Sequence, residues 1–168
     1  MKEILKNKLF LAVILVVILT VIMQVITIVV ESNVKEESIV VMKGYISLTY
    51  VENTGGAFGI GQEDTLSFVL VSLIVLGIIV HFLVSQRDKI DNKTMLALSF
   101  MLAGGWSNLI DRLVRGAVID YIDMTEYIKF PVFNIADSFI VIGWVLLVVS
   151  IIRYWRNGNE KEKGKSTT

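Results

Sequence analysis

Four apolar runs dominate the chain, at residues 9–30, 66–84, 94–110 and 132–152. A helix rises about 1.5 Å per residue and bilayer hydrocarbon is about 30 Å thick, so each run predicts a membrane-spanning helix. The third run is the shortest and carries Gly104, Gly105, Ser107 and Asn108, which predicts packing against protein rather than lipid. A polar stretch, SQRDKIDNK at 85–93, makes a short turn between the second and third runs. The connection at 31–65 is longer and has a pattern of its own. Its segments 38–42 and 45–51 are rich in Ile, Val and Tyr, and Ile46, Leu48 and Tyr50 alternate with Ser47 and Thr49. That period of two, with Lys43-Gly44 between the segments, predicts a β-hairpin. After it comes ENTGGAFGIG, where glycines mark backbone that turns tightly or approaches something closely. This string lacks the spacing and the lysine of a phosphate-binding loop. The predicted fold is an all-α polytopic membrane protein: four transmembrane helices, with a small extracytoplasmic β-hairpin in the first outer loop. A single membrane-embedded domain covers 1–155, and 156–168 is a charged cytoplasmic tail without fixed structure.

Composition agrees with this reading. Of 168 residues, 54% are hydrophobic and the mean hydropathy is +0.68, too apolar for a soluble domain of this size. The 16 basic and 16 acidic residues cancel, and no basic cluster sits beside stacking aromatics, so no nucleic-acid partner is expected. The absence of cysteine excludes disulfides, thiolate metal sites and a cysteine nucleophile. A single histidine, His81, leaves little scope for a Ser-His triad or an HExxH zinc site, and no metal or cofactor is expected. Lys2, Lys6 and Lys8 precede the first run like the start of a signal peptide. Its apolar core is too long and no small-residue cleavage site follows, so it reads as an anchor.

Basic residues also orient the chain. Besides those three lysines, Arg87, Lys89 and Lys93 fill the second connection, and Arg153, Arg156, Lys161, Lys163 and Lys165 follow the fourth run. The first connection is acidic, with Glu31, Glu36, Glu37, Glu52, Glu63 and Asp64. Both termini are therefore expected in the cytoplasm. Asp120 and Asp137 then fall at the outer face.

Those two aspartates are the strongest candidates for chemistry, because ionisable groups at the edge of hydrocarbon are costly. Asn134 is a good N-cap for the fourth helix, and Asp137 stands where its carboxylate reaches back to the Asn134 amide. A capping box accounts for Asp137 without catalysis, and the two roles are compatible. Asp120 reads as a loop residue among Val118, Ile119, Tyr121 and Ile122, where desolvation raises a carboxyl pKa. Carboxyl groups in contrasting environments suit a general acid and a general base. Asn108, Asp111 and Arg112 share one face at the end of the third helix. They read either as an interfacial Asp–Arg pair closing the helix or as a polar cluster orienting a catalytic group.

In combination these segments resemble lipoprotein signal peptidase, the type II signal peptidase family of aspartic proteases of the bacterial inner membrane. NTGGAF at 53–58 looks like the family's Asn-x-Gly-x-Ala-Phe box, and NLIDR at 108–112 is similar to its Asn-x-x-Asp-Arg box. VIDY around Asp120 and FNIADS at 133–138 look like its two aspartate segments. The resemblance implies that Asp120 and Asp137 form a catalytic dyad. It further implies that Asn53, Gly55, Asn108, Asp111, Arg112 and Asn134 bind substrate or support the site. The implied partners are lipid-modified precursor proteins, cut before a diacylglyceryl-cysteine, and membrane lipid. A site complete within one chain implies a monomer. Two departures stand out: Met23 and Thr27 replace the charged residues of an Asp-Gln-x-x-Lys pattern that keeps only Gln24, and Ser107 replaces a glycine. The alternatives are a diverged or inactive relative that binds lipidated precursors, and a small non-enzymatic membrane protein or transporter.

Overall fold

The computed structural model describes residues 2–56, 61 and 64–165. Ala57 and Phe58 of the NTGGAF segment lie outside the described residues. The chain runs α1 (Lys2–Val34), β1 (Ile39–Met42), β2 (Ile46–Asn53), α2 (Thr65–Ser85), α3 (Asn92–Arg115), β3 (Val118–Asp123) and α4 (Ile135–Lys165).

Four of the internal helix ends have a local cause. The Asp64 carboxylate accepts from Ser67 N–H at 3.3 Å to start α2, and Asp91 accepts from Thr94 N–H at 2.8 Å to start α3. Gly116, at φ +80°, closes α3 and donates its N–H to Arg112 O at 3.1 Å. α4 begins with the expected capping box. Asp137 N–H donates to Asn134 Oδ1 at 3.0 Å, and Asn134 N–H donates to Asp137 Oδ2 at 3.1 Å.

α3 is the hub of the molecule. α1, α2 and α4 each pack on it and make few contacts with one another. Small residues let the backbones approach closely. A Cβ on Gly104 would run into Ala136 O, and one on Gly105 would sit 2.7 Å from Leu76 Cδ2. On the facing helix, a Cβ on Gly143 would sit 2.6 Å from Met101 Cγ. The seam is filled by Leu76, Leu83, Leu98, Met101, Leu102 and Leu109, with Met23, Ala103 and Ala136 as a second cluster.

The outward faces are apolar instead of charged: Val13, Ile18, Ile74, Ile78, Val141 and Val145 are all exposed. Three stretches are long and apolar enough to cross a membrane, at Lys8–Val34, Thr65–Ser85 and Ile135–Arg156. α3, the expected third span, is not among them. Its buried surface carries Ser99, Gly104, Ser107, Asn108 and Asp111, residues a helix surrounded by protein can hold and a lipid-facing helix cannot. α4 remains helical to Lys165, beyond the apolar run that ends at 152.

The predicted hairpin is present as β1 and β2, and it belongs to a three-stranded antiparallel sheet in the order β1-β2-β3. Asp120 therefore lies in a strand, not in the loop expected for it. β3 pairs Val51 with Asp120, Glu52 with Ile119 and Asn53 with Val118. Its far end is held by Phe133, whose carbonyl accepts from Tyr121 and Ile122 N–H at 3.0 and 2.7 Å. The strand escapes a sequence reading because Val118, Ile119, Asp120 and Tyr121 are all buried. No alternation of apolar and polar residues survives when both faces are covered.

Candidate active site

Three elements converge at the C-terminal end of α3: the end of β2, the middle of β3 and the first turn of α4. The register that pairs Asn53 with Val118 sets the Asn53 amide beside Asp120, and Asn53 Nδ2 donates to Asp120 Oδ2 at 2.9 Å. Asn134, the cap of α4, donates its Nδ2 to Asp120 Oδ1 at 2.8 Å and to Asn108 Oδ1 at 3.2 Å. Asn108 Nδ2 in turn donates to Asp137 Oδ1 at 2.7 Å. With the capping bond from Asn134 N–H to Oδ2, all four oxygens of the two carboxyl groups accept from amides. The amide orientations lock one another: Asn108 gives its NH₂ to Asp137, so its oxygen is free to receive Asn134. Asp120 and Asp137 are thus joined through shared partners, Asn134 and Asn108, and they line one cavity of about 370 Å³.

The electrostatics of the pair are unusual for surface carboxylates. Asp120 is 3% exposed, and desolvation, with the Asp137 charge adding to it, pushes its carboxyl up to about 7. The amide donations from Asn53 and Asn134 and the charge of Arg112 oppose that rise without cancelling it. Among the described residues, no cation lies within ion-pair distance of either carboxyl group.

Arg112 borders the cavity but has another attachment. Its Nη2 donates to Gly55 O at 2.9 Å, and its guanidinium lies 5.6 Å from the centre of the Phe68 ring. Its Nε–H is buried and has no hydrogen-bond partner among the described residues. Gly55 N–H donates to Asn53 Oδ1 at 3.1 Å, so Gly55 links Arg112 to the Asn53 side chain that holds Asp120. Gly56 has to be glycine: a Cβ there would meet Phe68 Cε1 at 2.5 Å. The rest of the wall is apolar, formed by Phe130, Pro131, Phe133, Ile140 and Val141. A shallower groove of about 310 Å³ continues from Asp137 and Phe133 along α4 past Ser138 to Ile142. Another cavity of about 380 Å³, between α1, α2 and α3, is lined without any ionisable group.

Asp111 stands apart from the cavity. It is 2% exposed, and its Oδ1 accepts from Arg115 Nη1 at 2.6 Å and Gln24 Nε2 at 2.9 Å. Its Oδ2 faces Ile119 N–H at 3.4 Å, one residue before Asp120. Arg115 also pairs with Glu31 at 3.4 Å, so α1, α3 and β3 meet in one polar knot. Sequence reasoning overlooked Arg115 and Glu31, although the four-residue step from Asp111 to Arg115 on a helix was visible. The departures in α1 fit this surrounding. Met23 is 1% exposed in the cluster with Ala103 and Ala136, and Thr27 bonds the Tyr121 hydroxyl. Ser107 accepts from Gln24 Nε2 at 3.1 Å. His81 is exposed on α2, with its Nε2 3.5 Å from Ser85 Oγ. Among the described residues, no cluster of three or more His, Cys, Asp or Glu side chains could hold a metal ion.

A helical protein with membrane-length apolar helices and a carboxylate pair withdrawn into a cleft has the parts of a membrane hydrolase. The profile of one family, "Signal peptidase (SPase) II", matches residues 13–153. The chain belongs to the signal peptidase II family. It is 36% identical over 116 residues to a lipoprotein signal peptidase of Streptococcus pyogenes serotype M5 (strain Manfredo), covering 69% of this chain and 75% of that one. A lipoprotein signal peptidase of serotype M3 (strain ATCC BAA-595 / MGAS315) is 35% identical over the same length. Two solved structures share the fold. One, described as "Bacterial membrane enzyme structure by the in meso method at 2.3 A resolution", has a TM-score of 0.77 at 27% identity, covering 87% of this chain and 90% of its own. The other, by the same method at 1.9 Å, has a TM-score of 0.72 at 29% identity, covering 83% and 91%.

Proposed function

We propose that this chain is a membrane aspartic endopeptidase that removes signal peptides from lipid-modified precursor proteins, with Asp120 and Asp137 as its catalytic pair. The observation that carries this reading is the shared amide ring. It holds two carboxyl groups at one cavity with no cation within ion-pair distance among the described residues, so a single proton between them is the favoured state near neutral pH.

In this mechanism Asp120 holds the proton and donates a hydrogen bond to the scissile carbonyl. Asp137 takes a proton from a water bound between the two carboxyl groups. The hydroxide equivalent adds to the carbonyl carbon, and the Asp120 proton moves to the developing oxyanion. Collapse of the tetrahedral intermediate breaks the C–N bond, the leaving nitrogen takes a proton from Asp137, and Asp120 recovers its own. The pair titrates as a unit, so the assignments describe one microstate of a shared proton. Asn108 and Asn134 hold the Asp137 and Asp120 side chains in place, and Asn53 fixes the second Asp120 oxygen. Arg112 braces the Gly55 carbonyl at the edge of the cavity. Asp111 supports the site from behind.

The topology belongs to the same proposal. α3 serves as a fourth span enclosed by the other three, both termini lie in the cytoplasm of a bacterial inner membrane, and the sheet and carboxyl pair lie at the outer face. The basic residues at the other end of the helices support this orientation. Precursor acyl chains would lie in the groove along α4, and a monomer suffices. A binding-only relative is less well supported, because Met23 and Thr27 leave the amide ring complete. The test is cleavage of a diacylglyceryl-cysteine lipobox peptide in detergent by the native chain, Asp120→Asn and Asp137→Asn. Cleavage by the native chain and losses of about 1,000-fold or more in both variants are expected. Robust cleavage by either variant would sink the pair.

A further inference from the structure

The ends of the helices remote from the carboxyl pair hold a second polar cavity that the peptidase chemistry does not use. It measures about 720 Å³ and lies between the end of α2, the turn into α3 and α4 near Ser150. Lys89, Lys93 and Arg153 line it, and among the described residues none has an ion-pair partner within 4 Å. The sole carboxylate in its lining, Asp91, already accepts the Thr94 N–H at 2.8 Å as the cap of α3. The Ser150 hydroxyl is buried there and has no hydrogen-bond partner among the described residues, a donor whose desolvation they leave without offset. Trp155 and Tyr154 complete the rim, amphipathic rings of the kind that settle at headgroup depth.

We propose that this cavity binds the phosphate of an anionic phospholipid headgroup. Three cations supply the charge, Gln86 and Ser150 supply neutral donors, and a phosphodiester offers the acceptors all of them lack. A lipid suits the site better than a free phosphate because Phe82, Ile90 and Ile151 also line it. Phe82 and Ile151 are also exposed, an apolar flank where acyl chains can follow the headgroup. The inference rests on the membrane orientation proposed above and is independent of the carboxyl pair.

The experiment is native mass spectrometry of the full chain in detergent, titrated with phosphatidylglycerol or with phosphatidylcholine of the same acyl chains. Each cation near a lipid surface contributes about fivefold in affinity, so Lys89→Gln/Lys93→Gln/Arg153→Gln should lose about 100-fold for phosphatidylglycerol. Ser150→Ala, a change too small to unfold a helix, should lose a few-fold. Equal retention of the two lipids by the native chain would overturn the proposal. So would phosphatidylglycerol binding that survives the triple substitution. Displacement of bound lipid by millimolar orthophosphate would assign the site to a free anion and overturn the lipid assignment. Peptide cleavage by the triple variant should stay at the native level, so loss of lipid selectivity with cleavage intact leaves the peptidase reading untouched.

Discussion

Asp111 and Asp120 are equally buried, at 2% and 3% exposure, yet the molecule treats them in opposite ways. Asp111 has the Arg115 guanidinium 2.6 Å away and does not line the cavity that Asp120 borders. Asp120 has only neutral amides as partners and opens onto a cavity shared with a second carboxyl group. Burial alone therefore does not mark an active site. What separates the two is how the charge is neutralised. A fixed guanidinium gives Asp111 a structural tie, whereas Asp120 is held by neutral amides alone and has no cation within ion-pair distance among the described residues.

Substitutions can break this contrast from either side. Arg115→Met should have the largest effect on stability. It leaves Asp111 buried without its cation, which costs about 3–5 kcal/mol and should appear as a marked fall in Tm in detergent. Asp120→Asn should abolish cleavage while moving Tm by only a few degrees, because it removes a carboxylate that burial disfavours. If Asp120→Asn unfolded the chain and Arg115→Met did not, the assignment of roles would be reversed. Asn134→Ala should reduce kcat about 100-fold by releasing Asp120 from Asn108 and Asp137, and cost about 1 kcal/mol as a lost helix cap.

The pH dependence follows from the raised Asp120 carboxyl. Below about 7 the proton stays on the pair and cleavage proceeds; above it the proton leaves and kcat/KM should fall about tenfold per pH unit. Stability carries the same sign. The folded carboxyl titrates near 7 against an ordinary 3.8, so this group's stabilising contribution is complete below 3.8 and is lost as pH rises through about 7. Thermal denaturation from pH 5 to 9 should show that loss in the native chain and not in Asp120→Asn. The smallest effect belongs to Thr27→Val. It removes one hydrogen bond to Tyr121, should cost about 1 kcal/mol, and should leave the pH profile unchanged. A shifted pH profile would tie this α1 position to the dyad.

Much of this contrast was legible in the residues, and the illegible part has a physical cause. The capping box could be read from Asn134 and Asp137, because a helix start is local chemistry. The apolar helices could be read from run length, and the hairpin from the alternation at Ile46, Leu48 and Tyr50. β3 could not, since Val118 to Tyr121 are covered on both faces and show no period. The bonds from Asn53 and Asn134 to Asp120 depend on the β2–β3 register, which is a long-range property. The Asp111 knot joins Gln24 and Glu31 of α1 to Arg115 of α3, and only the packed helices bring them together. Met23 illustrates the same limit. In sequence it is a missing charge; in the fold it is an apolar side chain filling the space between Ala103 and Ala136.

The central claim is that Asp120 and Asp137 share one proton and act as one unit, and a double-mutant cycle on kcat tests it most directly. Asp120→Asn, Asp137→Asn and the double variant should all fall to one floor, about 1,000-fold or more below the native chain, because the second substitution has nothing left to remove. Losses that multiply in the double variant, or a single variant retaining a tenth of native activity, would contradict the account.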